Sequence, residues 1–346
     1  MWTRHAIVLF GLLTGLYGFA AAARAQDFHI EEVDAARSVN AADIKPGAIV
    51  FSDHTSPGAV ASETALIHFD EWADKHPNEK KFLALFPAYT EPPLGKPANG
   101  GSAPVIDKLY MYVAQARFVL DKAPGSIDLS RFVTLDFLQK IDPAITHTKI
   151  AAPDPTQFKA DAIAGNDNPD RKWCTGHTTS ICIQSSYKLE GKIPMGILLV
   201  NKLRDTKQVA DHIDFQSELS ALAAADVDQP GLQDLTGLNT PVSSVLEQNL
   251  FYVNEIMKFG KFLAVFQADP ADANKTVVTA FMTLAVKASV LDERRSFETM
   301  PVLRNLVPAQ VLMGQSSFNS GSSISAGLPK YARNEITTIA GILQRN

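Results

Sequence analysis

The longest regular pattern of apolar positions runs from Val277 to Leu291, where apolar side chains recur at every second residue. The apolar face comprises Val278, Ala280, Met282, Leu284, Val286, Ala288 and Val290. The opposite face comprises Thr279, Phe281, Thr283, Lys287 and Ser289. A period of two over this length, with many β-branched residues, predicts one long β-strand. Its uniform apolar face either packs in a core or lines an apolar cavity.

Patterns elsewhere in the second half predict further elements around this strand. Phe262 to Phe266 reads as a strand, and Leu328 to Leu343 reads as a terminal helix with Pro329 at its start. A sequence resembling a capping box at Asp205 predicts a helix that continues to about Ala224. Glycines and prolines predict a loop over residues 225–241.

The C-terminal half is therefore expected to be α+β, with a mostly antiparallel sheet and a long C-terminal helix. The succession of a cysteine-containing hairpin, a helix, long strands and a terminal helix resembles the START-like helix-grip fold in its order of elements. That resemblance implies an antiparallel sheet folded around the terminal helix, an arrangement that often encloses an apolar cavity. No residue motif of a family accompanies this order.

The N-terminal half has a different pattern. Ala48 to Phe51 reads as a strand, Ala59 to Lys75 as a helix and Lys81 to Tyr89 as a second strand. This order indicates a β-α-β unit and predicts a smaller α/β region over residues 26–150. Residues 151–170 are rich in Pro, Asp, Asn and Gly, which predicts a linker before an α+β domain over residues 171–346.

The first 25 residues have the features of a secretory signal peptide. An apolar run from Ala6 to Ala20 precedes the small-x-small site Ala23-Arg24-Ala25. We therefore expect a mature chain that begins at Gln26 and lies in the periplasm or is secreted. No later segment reaches the roughly 18 apolar residues of a spanning helix, so no integral membrane segment is expected after cleavage.

Composition and charge narrow the possible functions. The 346 residues are 46% hydrophobic and 20% charged, as in ordinary globular proteins. Without Arg4 and Arg24, 30 of the 32 basic residues remain against 37 acidic ones, a net charge of -7. This acidity argues against nonspecific binding to nucleic acid or to anionic membranes.

The chain contains two cysteines, Cys174 and Cys182, separated by seven residues that include Gly176. An oxidising compartment favours a structural disulfide between them. A redox dithiol or a metal site is the less favoured reading, because the spacing is not C-x-x-C and only His177 lies nearby.

Two clusters of polar residues are candidates for chemistry. Ser52, Asp53 and His54 follow a predicted strand, where active-site loops are common, although a turn or capping role is favoured. His68 and His76 flank Trp72 at helical spacing, which favours an amphipathic helix over a metal site. No G-x-S-x-G, H-E-x-x-H, Walker or G-x-G-x-x-G motif is present, so we expect no metal and no cofactor.

The apolar strand face and the missing catalytic signatures together favour a binding protein. The partner would be a hydrophobic or amphiphilic small molecule, with Val278, Met282, Leu284 and Val286 lining its cavity. One alternative is a periplasmic hydrolase with a site near Ser52, Asp53 and His54. The other is a non-catalytic protein of envelope assembly, with an exposed apolar patch in place of a pocket.

Overall fold

The described residues form ten β-strands that hydrogen-bond into one sheet. The computed structural model describes residues 27–53, 67–68, 109–152, 174, 179–188, 212–252, 257–287 and 324–346. The strands are β1 His29–Glu32, β2 Ala48–Asp53, β3 Ile67–His68, β4 Leu109–Leu120, β5 Ile145–Lys149, β6 Ser180–Lys188, β7 His212–Ala223, β8 Val242–Tyr252, β9 Met257–Ala268 and β10 Thr276–Lys287. The α-helices of these ranges are α1 Leu135–Ile141, α2 Gln229–Thr236 and α3 Ile324–Arg345.

The sheet has the order β1-β2-β4-β10-β9-β8-β7-β6-β5, and β3 pairs with β4 beside β2. Every pair is antiparallel except β1 and β2, which run parallel. The predicted antiparallel sheet with a long C-terminal helix is therefore confirmed, but the sheet as a whole is mixed. Strands from both sides of residues 151–170 join it through the pairing of β4 with β10. The domain boundaries themselves stay predictions, since residues 153–173 lie outside the described ranges.

Strand β10 forms as its alternation predicted. It pairs along its length with β4 on one edge and with β9 on the other. Val278, Ala280 and Met282 join the main core, and Leu284 packs against it. The hairpin from β9 closes through a polar turn, in which Asp269 Oδ1 accepts from Ala271 N at 2.9 Å and Asp272 Oδ1 accepts from Asn274 N at 3.0 Å. Asp side chains stabilise such turns by bonding to the backbone two residues on.

Helix α3 lies on one face of this sheet, which we call the inner face. Its apolar side comprises Ala332, Ile336, Ile339, Ala340 and Leu343. These side chains share the main core with β4 residues such as Phe118 and with Phe137 of α1. The helix begins at Ile324 and not at Leu328, so Pro329 lies inside it.

Three predicted elements differ in the structure. Residues 212–223, predicted as helix, form strand β7, because pairing with both β6 and β8 overrides a local pattern that suits either state. The predicted loop 225–241 contains α2, whose N-cap Asp228 accepts from Gly231 N and whose end is set by Gly237 at φ 68°. Ile67–His68, predicted as helix, pairs with β4 as strand β3. The rest of the predicted helix and the predicted strand 81–89 lie outside the described residues.

The opposite face of the sheet, the outer face, is also covered. Arg117 of β4 is 2% exposed there, and its Nε donates to Thr279 Oγ1 at 3.1 Å. Its Nη1 donates to Val39 O at 2.8 Å, and its Nη2 donates to Thr236 O at the end of α2. Burial lowers the pKa of Arg117 to about 10, so the side chain remains charged at neutral pH. The Arg117 side chain therefore connects β4 with β10, with the backbone at Val39 and with the end of α2.

Replacing Arg117 by methionine should destabilise the protein by about 3 kcal/mol, because the buried carbonyls of Val39 and Thr236 lose their donors. Urea denaturation monitored by circular dichroism measures this loss. Lys275→Met is the matched control, since Lys275 pairs with Asp121 at 3.4 Å on the surface, with 41% and 54% of the two side chains exposed. We expect that control to change stability by less than about 0.5 kcal/mol. Equal effects of the two substitutions would contradict the structural role of Arg117.

Candidate functional site

The candidate site is the part of the inner face that lies toward the N-terminal half of α3. Met282 of β10 lies directly opposite Ala114 of β4 and Phe262 of β9. Leu284 lies opposite Tyr112 and Gly260 in the next row. These residues form an apolar floor across three central strands. Two of its members, Ala114 and Gly260, have small side chains next to the larger Met282 and Leu284.

Gly260 allows a close approach across the sheet. A Cβ atom at this position would lie 3.1 Å from Leu250 Cδ2 and 3.3 Å from Leu284 Cδ1. Leu250 and Leu284 therefore occupy the space above the glycine and extend the apolar floor from β10 to β8. Leu250 in turn packs against a small cluster made by Ile145 and Phe215.

The predicted ligand-binding residues occupy different depths of this face. Val278 is fully buried in the packed core, whereas Met282 is 9% exposed and Leu284 is only partly buried. Val286 lies farther along β10, at the register position of Tyr110. Accessibility on this strand thus increases from Val278 toward Leu284. The assignment of these residues to a ligand site remains a prediction.

An ion-pair network lies at one side of the apolar floor and holds α3 to the sheet. Arg333 of α3 donates from Nε to Glu32 Oε1 at 2.9 Å and from Nη1 to Asp53 Oδ2 at 3.2 Å. Tyr112 donates to the same Asp53 oxygen at 2.9 Å. The guanidinium also lies 4.5 Å from the centre of the Phe51 ring, within cation–π range. Burial, the charge of Asp53 and the hydrogen bond to it raise the pKa of Tyr112.

This network decides the role of two residues singled out in the sequence. Asp53 lies on the inner face and binds Arg333, whereas Ser52 lies on the outer face, where its Oγ accepts from Ala36 N at 2.9 Å. Consecutive strand residues face opposite sides, so Ser52 and Asp53 do not form one site. His54, and the pair His68 and His76 with Trp72, cannot be placed in a site: His54 and 69–76 lie outside the described residues, and His68 is described only as part of β3.

Polar side chains cross the inner face on the other side of the apolar floor. His147 of β5 lies opposite Ser185 of β6, and its Nδ1 and the Ser185 hydroxyl share a hydrogen bond of 2.9 Å. Ser217 of β7 is a diagonal neighbour of Ser185, and Gln248 of β8 donates from Nε2 to Ser217 Oγ at 3.0 Å. We call these four residues the polar diagonal.

The polar diagonal includes a buried atom with no partner among the described residues, Nε2 of His147. Burial lowers the pKa of this histidine, and the nearby carboxylate of Asp142 opposes that shift only in part. The ring is therefore neutral at pH 7. A neutral imidazole nitrogen in this position is able to donate or accept a hydrogen bond, depending on the tautomer.

Glu335 is a second buried polar group, located on the buried side of α3. Burial raises its pKa to about 8, although a hydrogen bond from Tyr331 lowers it and the charge of Asp142 raises it further. Its Oε2 has no hydrogen-bond partner in the described part of the chain. Asp142 directly follows α1, which contacts both β5 and α3. The same carboxylate thus acts on both Glu335 and His147.

A separate row of polar side chains crosses the outer face. Thr283, Lys261, Asn249 and Glu218 lie opposite one another on four successive strands, and each is at most 7% exposed. Glu247 lies beside this row, where burial raises its pKa to about 7 while Lys261 lowers it. Lys261, Glu218 and Glu247 bring ionisable groups into the interior, where a charge has to be paired.

The disulfide lies at the end of this row. Cys174 and Cys182 are bonded, with their Cα atoms 5.4 Å apart, which confirms the pairing expected from the sequence. Cys182 lies opposite Glu218, and the backbone N–H of Cys174 donates to Glu218 Oε2 at 3.1 Å. The bridge therefore helps to satisfy a buried carboxylate. In the described ranges no three His, Cys, Asp or Glu side chains are grouped as metal ligands.

Among the described helices, none has the length and apolar character needed to cross a membrane. Residues 1–26, which include the expected signal peptide, lie outside the described ranges.

No family model and no curated protein matches this chain. Solved structures similar to it include the Zhui aromatase/cyclase from Streptomyces sp. R1128, at 10% identity and a TM-score of 0.31, over 68% of this chain and 93% of that one. Ara h 8.0201 matches at 10% identity and a TM-score of 0.30, over 68% and 99%. Norcoclaurine synthase from Thalictrum flavum, in complex with dopamine and hydroxybenzaldehyde, matches at 7% and 0.28, over 71% and 96%. Similarities this weak assign neither a family nor a function.

Replacing Arg333 by methionine should loosen the N-terminal turns of α3. Loss of the bonds to Glu32 and Asp53 removes the polar attachment there, while the apolar contacts of Ile339 and Leu343 persist. We expect amide hydrogen exchange to accelerate by about ten-fold or more in residues 324–333, with little change near Leu343.

Lys45→Met is the control for this experiment. It removes an exposed ion pair of 3.0 Å with Glu31 on β1, and it should leave exchange in α3 unchanged. If exchange in residues 324–333 of the Arg333 variant accelerates no more than exchange near Leu343, the ion-pair network does not hold the N-terminal end of α3.

Stability should fall as the pH rises, because burial raises the pKa of Glu247 to about 7 and that of Glu335 to about 8, from 4.5. The folded protein binds these protons more tightly than the unfolded chain. Their stabilisation is thus complete below pH 4.5 and is lost as the pH rises through 7 and 8. Glu335→Gln, which is neutral at every pH, should reduce this fall between pH 4.5 and about 8, and Glu247→Gln should reduce it between pH 4.5 and about 7.

Urea denaturation at a series of pH values measures these slopes. Asp136→Asn is the control, because Asp136 lies in the first turn of α1 outside both buried groups. An unchanged slope in both glutamine variants would contradict the buried, protonated state of the two carboxyls.

Proposed function

We propose that this protein binds a hydrophobic or amphiphilic small molecule between the inner face of the sheet and α3. The observation that carries the proposal is the apolar floor, which includes Met282, Leu284 and Phe262. The polar diagonal borders this floor on the side away from Arg333. Such a surface offers an apolar molecule a large contact area and offers its polar end specific partners.

The position of the site follows from how α3 is attached. Its C-terminal half packs on the sheet through Ile339, Ala340 and Leu343. Its N-terminal half is attached in part by partly exposed polar contacts, since 21% of the Arg333 side chain and 29% of the Glu32 side chain are accessible. Polar contacts at a surface separate more readily than a packed core, so ligand entry is expected near Arg333.

In this proposal the apolar body of the ligand contacts Met282 and Leu284. Val286 extends the same strand, and Val278 marks the packed end of the face. No described observation favours the hydrolase near Ser52 and Asp53, because both side chains have structural partners on opposite faces.

We also propose that the protein acts outside the reducing cytoplasm, in the periplasm or after secretion. The disulfide between Cys174 and Cys182 supports this location, since such bonds persist in oxidising compartments. Cleavage after Ala25 is part of the same proposal.

Native mass spectrometry, with organic extraction of the purified protein, tests the function directly. We expect a co-purifying apolar molecule, or saturable binding of the fluorescent apolar probe N-phenyl-1-naphthylamine to the delipidated protein. Leu284→Gln should weaken probe binding at least about ten-fold, equivalent to roughly 1.4 kcal/mol, because it places an amide on the apolar floor.

Thr283→Val is the matched control, since Thr283 neighbours Leu284 on β10 but faces the other side of the sheet. Its probe affinity should equal that of the unaltered protein. Absence of saturable binding, or equal affinities for both variants while both remain folded, would overturn the proposal.

A further inference from the structure

The polar diagonal limits which chemical group the ligand can carry at its polar end. Ser185, Ser217 and Gln248 have uncharged side chains, and the four residues are hydrogen-bonded in two pairs, which leave Nε2 of His147 without a partner among the described residues. A buried polar atom without a partner is costly, so this nitrogen marks a place where a ligand atom completes the hydrogen bonding.

We infer, on the basis of the proposed function, that the polar end of the ligand is an uncharged hydroxyl group, bound at Nε2 of His147 beside Ser185. A hydroxyl both donates and accepts, so it satisfies this nitrogen in either tautomer of the ring. Alcohols, phenols and sterol-like molecules carry such a group. A carboxylate accepts only, and an ammonium donates only.

The charges around this position support the same ligand class. Asp142 is close enough to act on His147, so a ligand carboxylate would be repelled. Arg333 of α3, which lies beside the apolar floor, is already bound by Glu32 and Asp53. A carboxylate bound at His147 would therefore lose its hydration close to the negative charge of Asp142, which is strongly unfavourable in a buried site.

Glu335 disfavours a positively charged ligand group, but less directly. With its pKa raised to about 8, this carboxyl is protonated at pH 7 and presents a neutral hydrogen-bonding group. The charge of Asp142 would offset part of the cost of an ammonium group, but the groups within hydrogen-bond reach, the imidazole and the Ser185 hydroxyl, are neutral. Burying an ammonium group would cost more than burying an alcohol of the same chain length.

The experiment compares dodecanol, dodecanoate and dodecylammonium, which share one apolar chain and differ at the polar end. Displacement of N-phenyl-1-naphthylamine from the delipidated protein at pH 7 gives each affinity. We expect dodecanol to bind at least about ten-fold more tightly than either charged probe, a difference of roughly 1.4 kcal/mol.

Variants identify the residue responsible. His147→Phe retains a planar aromatic ring and removes both nitrogens, so it should abolish the preference for dodecanol while N-phenyl-1-naphthylamine still binds. Thr148→Val, an exposed position on the opposite face of β5, is the control and should retain the preference.

The two proposals fail in different ways. If no probe binds the folded protein, the proposed function is wrong. If the fluorescent probe binds but dodecanoate or dodecylammonium competes as well as dodecanol, the function stands and the hydroxyl assignment is wrong. A preference for dodecanol that survives His147→Phe likewise overturns the assignment to this residue.

Discussion

Burial of both faces of the central strands is the constraint on which the rest of the structure depends. β4, β10 and β9 are covered on the inner face by α3 and α1, and their outer-face side chains are buried as well. A strand with one solvated face can carry polar residues without cost, but here each such residue needs an internal partner. Arg117 meets this requirement with two backbone carbonyls and Thr279.

Buried polar side chains are accommodated differently on the two faces of the sheet. On the outer face, Lys261 lies near the carboxyls of Glu218 and Glu247, and its positive charge lowers the pKa of Glu247 against the larger effect of burial. On the inner face, the buried groups His147 and Glu335 are neutral near pH 7, and each has one atom without a hydrogen-bond partner in the described ranges. Charge compensation is thus found in the row of polar side chains on the outer face, whereas burial keeps His147 and Glu335 on the inner side neutral.

Periodicity predicted those parts of the molecule that depend on neighbouring residues in the chain. The alternation of β10, the face shared by Val278 and Met282, the disulfide and the C-terminal helix all follow from local sequence. β7 was predicted wrongly because Val209, Ile213 and Leu219, which were assigned to one face of a helix, are also an even number of residues apart and so fit one face of a strand. Only the pairing partners of β7 decide between the two. Helix α2 was missed although Asp228, Pro230 and Gly237 are ordinary signals for its two ends.

The polar diagonal could not be predicted in the same way, and the reason also explains how the site is assembled. His147, Ser185, Ser217 and Gln248 are more than 30 residues apart in sequence, and only the register of four strands brings them together. The apolar floor has a similar origin, since Ala114 comes from the N-terminal half and Met282 and Phe262 from the C-terminal half. Neither half of the chain carries a complete inner face. Binding at this face therefore requires the pairing of β4 with β10, and any substitution that weakens this pairing acts on the fold and on the site together.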